Sequence, residues 1–171
     1  IAKFSWPGRI THTGVENLQL ESAFNESRPK DEDHRWMAIV VNNAVDGWVR
    51  RVNFKHFAGS AVSLLEGAQR FTVEDCIATE PVSEIGGQRR YVFSTTGQQN
   101  LFQRLYSEHG YHDFSVGYCA AGPNAFVQCQ AEQSLSYSGS VNSWASGVLF
   151  DVVRLDGQTL KFANIGQDEQ W

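Results

Sequence analysis

The chain has 171 residues, and its fourteen Lys and Arg against nineteen Asp and Glu give a formal net charge of -5. This acidic balance provides no basic field for a nucleic-acid backbone, so nucleic acid is not an expected partner. Because no apolar run approaches the ~18 residues of a membrane-spanning helix, a membrane span is not expected either.

Short runs in which apolar and polar residues alternate recur along the chain and predict strands. They share a phrase of one apolar residue, two mainly polar residues and a small or medium apolar residue, which we call the marker. The phrases occupy 15–18, 49–52, 73–76, 102–105, 126–129 and 152–155. Their markers are separated by 34, 24, 29, 24 and 26 residues. The spacing indicates a repeat of about two dozen residues with insertions in some units.

A second apolar strand precedes most phrases, at 38–41, 61–64, 91–93 and 114–116. A turn containing Gly47, Gly67, Gly97 or Gly122 separates the two strands, and glycine suits a tight, partly left-handed corner. The unit is therefore strand, corner, strand and loop. One such unit cannot bury its own inner face, whereas stacked neighbours share a continuous core.

The predicted fold is all-β, a right-handed parallel β-helix (solenoid) of about five to six coils, forming one domain over 1–171. An antiparallel sandwich or jelly roll is the competing fold, because it also has many short strands. Aligned apolar markers favour stacked coils, and we expect one inward ladder of Val52, Cys76, Leu105, Cys129 and Leu155. Since the chain lacks an initiating Met, we expect it to be a piece of a longer β-helix.

Three cysteines, Cys76, Cys119 and Cys129, form no C-x-x-C pair and are expected to be buried free thiols. Cys76 and Cys129 would lie two coils apart, about 9.6 Å, beyond the ~7 Å that a disulfide spans between Cα atoms. Two polar segments, near 24–35 and 133–146, are interpreted as insertion loops. Loops of this kind form the walls of grooves on a rigid solenoid.

The coil pattern from Val15 to about Leu160 resembles the pectin-lyase-like right-handed β-helix proteins, which are mostly polysaccharide lyases and glycoside hydrolases. The stretch 122–129, followed by 144–151, is similar to a more particular bacterial branch of these proteins. The catalytic motifs of the polygalacturonase-type glycosidases and the Arg-x-Pro-x-x-Arg stretch of the pectate lyases are missing. The resemblance therefore implies a carbohydrate-active β-helix, and neither mechanism is carried over.

Equivalent positions of successive coils lie about 4.8 Å apart, so polar residues at one position become neighbours. The third and fourth positions after each marker bring together Lys55, His56, Glu80, Glu108, His109 and Glu132, with Gln158 at the end of the third-position row. These are acids and bases suited to cleaving a glycosidic bond or abstracting a proton beside a uronate. The alternative is a solvated face whose charges serve solubility.

The segment 107–113 is the densest group of titratable residues. Glu108 and His109 are the predicted acid and base, and Asp113 or His112 the orienting group. Its spacing matches no strong metal motif, so no metal is predicted, although a divalent cation such as calcium is an alternative. Corner residues with satisfied hydrogen bonds are the structural alternative.

Substrate contacts are predicted from five further side chains: His56, Arg89, Arg90, Trp36 and Trp144. Guanidinium groups bind carboxylates and sulfates in bidentate fashion, and an aromatic face packs against a pyranose. Internal pairing of the arginines with Glu84 and burial of the tryptophans are the alternatives.

These observations predict a glycoside hydrolase or polysaccharide lyase that needs no cofactor and acts on a polysaccharide or oligosaccharide. The expected location is secreted, periplasmic or at the cell surface. Further β-helix coils of the same protein are a second expected partner. The alternative function is a noncatalytic β-helix that binds glycans or serves as a structural stalk.

Overall fold

A computed structural model of the protein describes residues 7–141 and 145–162. Within these residues the fold is all-β, without helices, and every strand pairing is parallel. The predicted dominance of parallel strands is confirmed, and the antiparallel alternative is excluded. The same residues contain no helix with the length and apolar character needed to cross a bilayer.

The strands form two sheets of eleven and six members. The larger sheet contains β1 (Ile10–Thr11), β2 (Gly14–Glu21), β4 (Ala44–Lys55), β6 (Gln69–Glu74), β7 (Ile77–Thr79), β9 (Asn100–Gln103), β10 (Tyr106–Glu108), β12 (Asn124–Val127), β13 (Gln130–Glu132), β15 (Val148–Asp151) and β16 (Arg154–Leu155). The smaller sheet contains β3 (Met37–Val41), β5 (Ser60–Leu64), β8 (Tyr91–Thr95), β11 (His112–Gly117), β14 (Ser138–Val141) and β17 (Leu160–Lys161).

The larger sheet divides into two wings because its long strand β4 has two different neighbours, β6 and β7, on the side away from β1 and β2. The first half of β4 pairs with β6, and the second half pairs with β7. One wing continues through β9, β12 and β15, and the other through β10, β13 and β16. Along the chain, a strand of the smaller sheet is followed by one strand of each wing. The repeating unit therefore contributes three strands to three parallel stacks.

The register of the second wing confirms the predicted marker alignment as far as Cys129 and corrects the last unit. Pairing of Asn53 with Ile77, of Ile77 with Tyr106 and of Tyr106 with Gln130 places the preceding residues Val52, Cys76, Leu105 and Cys129 at one level. The markers are buried, at 0%, 0%, 2% and 1% exposure. Gln130 pairs with Arg154, so Val153, and not the predicted Leu155, is level with Cys129. The phrase 152–155 contains three apolar residues, which made the marker ambiguous.

The thiols follow the predicted separation in part. Cys76 and Cys129 are buried and form no disulfide, and Leu105 of the intervening unit lies between them. Cys119, expected to be buried, is exposed because it lies in the turn after β11. The exposure of Cys119 determines its reactivity, since only an accessible thiol meets a reagent in the native state.

The residue before each marker forms a left-handed corner inside the phrase, a position separate from the predicted glycine turns. Arg51, Asp75, Arg104 and Gln128 have φ of 51°, 54°, 51° and 54° where one wing passes into the other. Gly122, with φ 59°, is the predicted corner glycine that has a positive φ. A left-handed non-glycine residue costs about 1–3 kcal/mol and persists only where its surroundings fix it. Here the paired strands on both sides of the corner provide that constraint.

The core contains aromatic columns and buried asparagines among its aliphatic side chains. Rings of Phe102, Phe126 and Phe150 stack with centroid distances of 4.6 and 5.0 Å. Asn100 and Asn124, each 2% exposed, lie at one level on β9 and β12. The Asn124 amide oxygen accepts from the Asn100 backbone N–H at 3.1 Å. These two buried amides are thus satisfied along the stack, as a stable interior requires.

The two predicted insertions differ in structure. Residues 24–35 contain no strand, as expected for a loop. The segment 133–146 was expected to be a loop, but it contains β14, which pairs with β11 and β17. Its Ser and Gly content concealed the strand. Gly139, at φ 130°, is needed there because a side chain would meet the backbone of Lys161.

Candidate functional site

The predicted strip of acids and bases lies where the second wing ends, and we call Lys55, His56, Glu80, Glu108, His109 and Glu132 the charged ladder. Lys55 pairs with Thr79, and Glu108 pairs with Glu132, so the third-position residues are in register. The row continues to Asp156, and not to the predicted Gln158, because Ala131 pairs with Leu155. This two-residue shift, from Gln158 to Asp156, equals the shift of the last marker from Leu155 to Val153.

The fourth-position residues form a left-handed corner that holds the histidines at the edge of this wing. His56, Glu80 and His109 have φ of 67°, 53° and 53°. The His109 backbone N–H donates to the carbonyl of Glu132 at 3.1 Å, continuing the ladder of parallel bonds. Backbone pairing therefore sets the position of each corner residue. His56 directly follows Lys55, and His109 directly follows Glu108.

The lower part of the charged ladder is an ion cluster. Glu80 lies 2.8 Å from Lys55 Nζ through Oε1 and 3.3 Å from His56 Nε2 through Oε2. The hydrogen bond from Lys55, followed by that from His56, lowers the pKa of Glu80, and the same carboxylate raises the pKa of Lys55. Glu21 lies 3.5 Å from His56 Nδ1. In this part of the surface Lys55 and Glu80 form an ion pair, and His56 lies beside the same carboxylate.

The upper part of the charged ladder joins two carboxyl groups through one phenol. The Tyr106 hydroxyl lies 2.8 Å from Glu108 Oε1 and 3.0 Å from Glu132 Oε2, and these two carboxyls raise its pKa. Gln130 Nε2 donates to the other oxygen of Glu132 at 2.6 Å. A phenol has a single O–H to donate, and its oxygen also accepts. The Tyr106 hydroxyl therefore lies within hydrogen-bond distance of both carboxyl groups and joins them.

Arg90 lies beside the upper part of the charged ladder. Its guanidinium donates to Ser83 Oγ at 2.9 Å, to the Ser83 carbonyl at 2.8 Å and to the carbonyl of His109 at 3.5 Å. A small cavity of about 20 Å³ is lined by Arg90 and Glu108 together with Thr79. Burial lowers the pKa of Arg90. Neutral acceptors thus hold the Arg90 guanidinium at a cavity that Glu108 also lines.

Arg89 and Trp36 meet away from these carboxyls, where loop 24–35 packs on the segment before β8. Arg89 forms a bidentate pair with Glu32, including a 2.9 Å contact from Nη2 to Oε2. Its guanidinium also lies 5.2 Å from the centroid of the Trp36 ring. The pair with Arg89 lowers the pKa of Glu32. Glu84, the partner considered from sequence, binds Lys30 at 2.8 Å.

His112 is a buried residue of β11, 3% exposed, surrounded by tyrosines. It makes edge-to-face contacts with Tyr91, Tyr111 and Tyr137 at centroid distances of 4.6, 4.7 and 4.5 Å. Its Nδ1 donates to the carbonyl of Tyr137 at 2.6 Å, because a carbonyl only accepts. Burial lowers its pKa, so the ring is neutral at pH 7. His112 orients aromatic side chains, and its predicted catalytic role stays a prediction.

Asp113 is fully buried between neighbouring units. Ser107 Oγ donates to Asp113 Oδ1, and the Ser134 hydroxyl is another neighbour. Oδ2 has no hydrogen bond of normal geometry with any described residue. Burial, the main effect, raises the pKa of this carboxyl. Asp113 contacts Ser107, the residue before Glu108, which connects it to the charged ladder through the backbone.

Trp144, a predicted sugar platform, lies outside the described residues. Among residues 7–141 and 145–162 no group of three or more His, Cys, Asp or Glu side chains is arranged to hold a metal ion. Comparison of the chain with protein-family models, with curated proteins and with solved structures gives no match.

The residue that the sequence prediction missed is Tyr106. Spacing placed Glu108 and Glu132 on one strip, but the hydroxyl that joins them belongs to the same strand as Glu108. A tyrosine two residues before an outward acid points to the same side of a strand. That alternation was the available signal.

Proposed function

We propose that the three strand stacks are the faces of a right-handed parallel β-helix of the pectin-lyase-like kind, and that its charged ladder cleaves a polysaccharide. The support for the fold is the repeated order of three strands and the in-register pairing at separations of 34, 24, 29, 24 and 24 residues. Further coils of the same protein would extend these stacks.

The observation that carries the proposed activity is the contact of two carboxyl groups, Glu108 and Glu132, with one tyrosine hydroxyl. Glycoside hydrolases use a pair of carboxyls, about 5–5.5 Å apart in retaining enzymes and about 6.5–9.5 Å apart in inverting ones. In the proposed reaction one carboxyl, in its protonated form, is the acid. The other is then the base or nucleophile.

The groups around this pair suit an anionic sugar. Arg90 lines the cavity beside Glu108, and Lys55 lies within electrostatic reach of the same carboxylate. A uronate carboxylate bound by these cations would place its ring next to Glu108. His109 is the second acid–base group at this edge, and in a lyase it would abstract the proton beside the uronate.

The test is an assay of the purified protein on plant, algal and host polysaccharides. New reducing ends report hydrolysis, and absorbance of unsaturated uronates reports a lyase. Glu108→Gln and Glu132→Gln are each expected to lower turnover by about 10²–10⁴-fold. Their melting temperatures should stay close to the parent's, because partly exposed carboxylates contribute little to stability. His109→Ala is expected to remove one limb of the pH profile.

Glu26→Gln is the matched control, since Glu26 is an exposed carboxylate of loop 24–35. It should retain full activity. Retention of full turnover by both Glu108→Gln and Glu132→Gln would contradict the proposed catalytic pair.

A noncatalytic β-helix that binds glycans or forms a stalk is the second candidate. The observation in its favour is that Lys55, Glu80 and Arg89 are already paired within the protein. A glycan-binding β-helix would bind one of the tested polysaccharides, and a stalk would bind none. Neither would produce a new reducing end or an unsaturated product.

A further inference from the structure

A second groove runs across the outside of the smaller sheet, on strands that the charged ladder does not use. Its volume is about 350 Å³. That volume lies at the lower end of the range for small-molecule sites, about 300–1,000 Å³. We call this the hydroxyl groove and define it by Ser63, Ser94, Ser115, Tyr91, Tyr118 and Met37.

The floor of the hydroxyl groove is a row of serines at one level. Ser63 pairs with Ser94, and Ser94 pairs with Ser115, on the neighbouring strands β5, β8 and β11. Ser94 Oγ donates to Ser63 Oγ at 3.2 Å. Ser63 and Ser115 are only 7% and 2% exposed. Ser94, between them, is the partly exposed member of the row, and its hydroxyl can both donate to and accept from a ligand.

The walls of the hydroxyl groove are aromatic and apolar. Tyr91 is held by the edge of the His112 ring, and burial raises the pKa of its phenol to about 12. Its hydroxyl therefore stays neutral over the physiological range. Tyr118 and Met37 are 45% and 40% exposed at the rim. An exposed tyrosine face packs against the C–H face of a pyranose while the ring hydroxyls remain free.

The lining of the hydroxyl groove carries little charge, in contrast to the charged ladder. Among the described residues that line it, Glu66 is the single carboxylate, and none is Lys, Arg or His. A uronate or sulfate would enter without a cation to balance it, which is costly at a partly buried site. The lining therefore favours a ligand with hydroxyls, an apolar ring face and no charge.

We propose that the hydroxyl groove binds an uncharged saccharide of one or two pyranose units. This site is separate from the charged ladder, and it does not depend on cleavage there. A polymer held at both places would be anchored by neutral sugars on one face and bound by acid–base groups on another.

Calorimetric titration of the protein with cellotetraose, mannotetraose, galactotetraose and tetragalacturonate tests the proposal. At least one neutral tetrasaccharide is expected to bind. Tyr118→Ala should weaken that binding about tenfold, the size of one aromatic contact. Ser94→Val, which replaces the floor hydroxyl by two methyl groups on a strand that favours Val, should abolish it.

Two variants serve as controls. Phe162→Ala removes an aromatic side chain that is 62% exposed near the end of the described chain and should leave binding unchanged. Glu108→Gln should bind the neutral sugar normally, which separates failure of this site from failure of the catalytic pair. Absence of binding by all three neutral sugars would overturn the proposal. So would binding that Tyr118→Ala and Ser94→Val leave intact, or tight binding of tetragalacturonate that depends on Tyr118.

Discussion

The charged ladder and the interior of the strand stacks place the same chemical groups in opposite environments. Glu80 in the charged ladder is 56% exposed, and its pKa is lowered by Lys55 and His56. Asp113 in the interior has no exposed surface, and its pKa is raised by burial. Both are acids at the edge of a repeating unit. Solvent access and the nearest partner, and not residue type, decide whether the charge is favoured.

Apolar side chains, asparagines and cysteines also occur both inside the stacks and on the surface. Substituting a buried and an exposed side chain of the same kind therefore measures how much burial in the interior contributes. Where the two members respond equally, the contrast between the regions fails.

The largest effect is expected from the aromatic column. Phe126→Ala should lower the free energy of unfolding by about 3–5 kcal/mol, because it removes a ring stacked between Phe102 and Phe150 and leaves a cavity. Leu149→Ala, at a side chain 55% exposed on β15, should change it by no more than about 0.5 kcal/mol. Urea unfolding measures both. Equal losses would mean that the column is not a packed core.

The next effect is expected from the asparagine row. Asn100 Oδ1 accepts from the Phe71 N–H at 3.0 Å, and Nδ2 donates to Thr95 Oγ1 at 3.1 Å. Asn100→Ala leaves the buried Phe71 N–H without this acceptor and should cost about 1–3 kcal/mol. Asn53→Ala, exposed on β4, is the control and should be nearly neutral. A neutral Asn100→Ala variant would show that water replaces the amide.

The contrast between the two acids predicts pH effects of opposite sign. The folded pKa of Asp113 is raised, so the folded state binds its proton more tightly and stability falls as pH rises above the reference value of 3.8. Asp113→Asn should raise the melting temperature at neutral pH and lose this advantage below 3.8.

Glu80→Gln is the opposite case. Its folded pKa is lowered from 4.5, so its stabilising contribution is present above that value and is lost as pH falls. The variant should melt slightly below the parent at neutral pH and together with it in acid. Melting curves of both variants across this range test the signs. Destabilisation by Asp113→Asn at neutral pH would contradict the assignment of a buried, uncompensated carboxyl.

The smallest effect on stability is expected for the cysteines, and here the measurement is their reactivity toward a thiol reagent. Burial raises the pKa values of Cys76 and Cys129 to about 11, so neither forms thiolate at neutral pH. A thiol reagent should label Cys119 in the native protein and all three cysteines after unfolding. Cys119→Ser should abolish native labelling without changing stability. Rapid labelling of that variant would mean that the interior opens readily.

Much of the strand arrangement was predictable because stacking imposes a strict rule on spacing. The markers from Val52 to Cys129 were aligned correctly, and Glu108 and Glu132 followed from counting. The last unit failed because Val153 and Leu155 are both apolar, and composition does not choose between them. Strand β14 was missed because Ser and Gly are poor strand formers in isolation, while its neighbours β11 and β17 supply the pairing.

The candidate site was predictable only where it depends on register. Counting placed Lys55, Glu108 and Glu132 in one row, since position in a repeat translates directly into position in a stack. The contacts of Arg89 with Glu32 and of Lys30 with Glu84 join residues more than fifty positions apart. Their loops have no repeat to count along, so their partners were not available from spacing.

The sequence by itself determined the strand-forming alternation, the repeat length and the order of polar groups along each row, because these depend on local periodicity. The tertiary structure decided which polar groups are exposed and which are buried. Asp113 and Glu108 are five residues apart, yet one is enclosed beside Ser107 and the other contacts Tyr106 at the surface. The turn between β10 and β11 separates the two residues. The pairing of these strands with their neighbours decides which of the two side chains is enclosed.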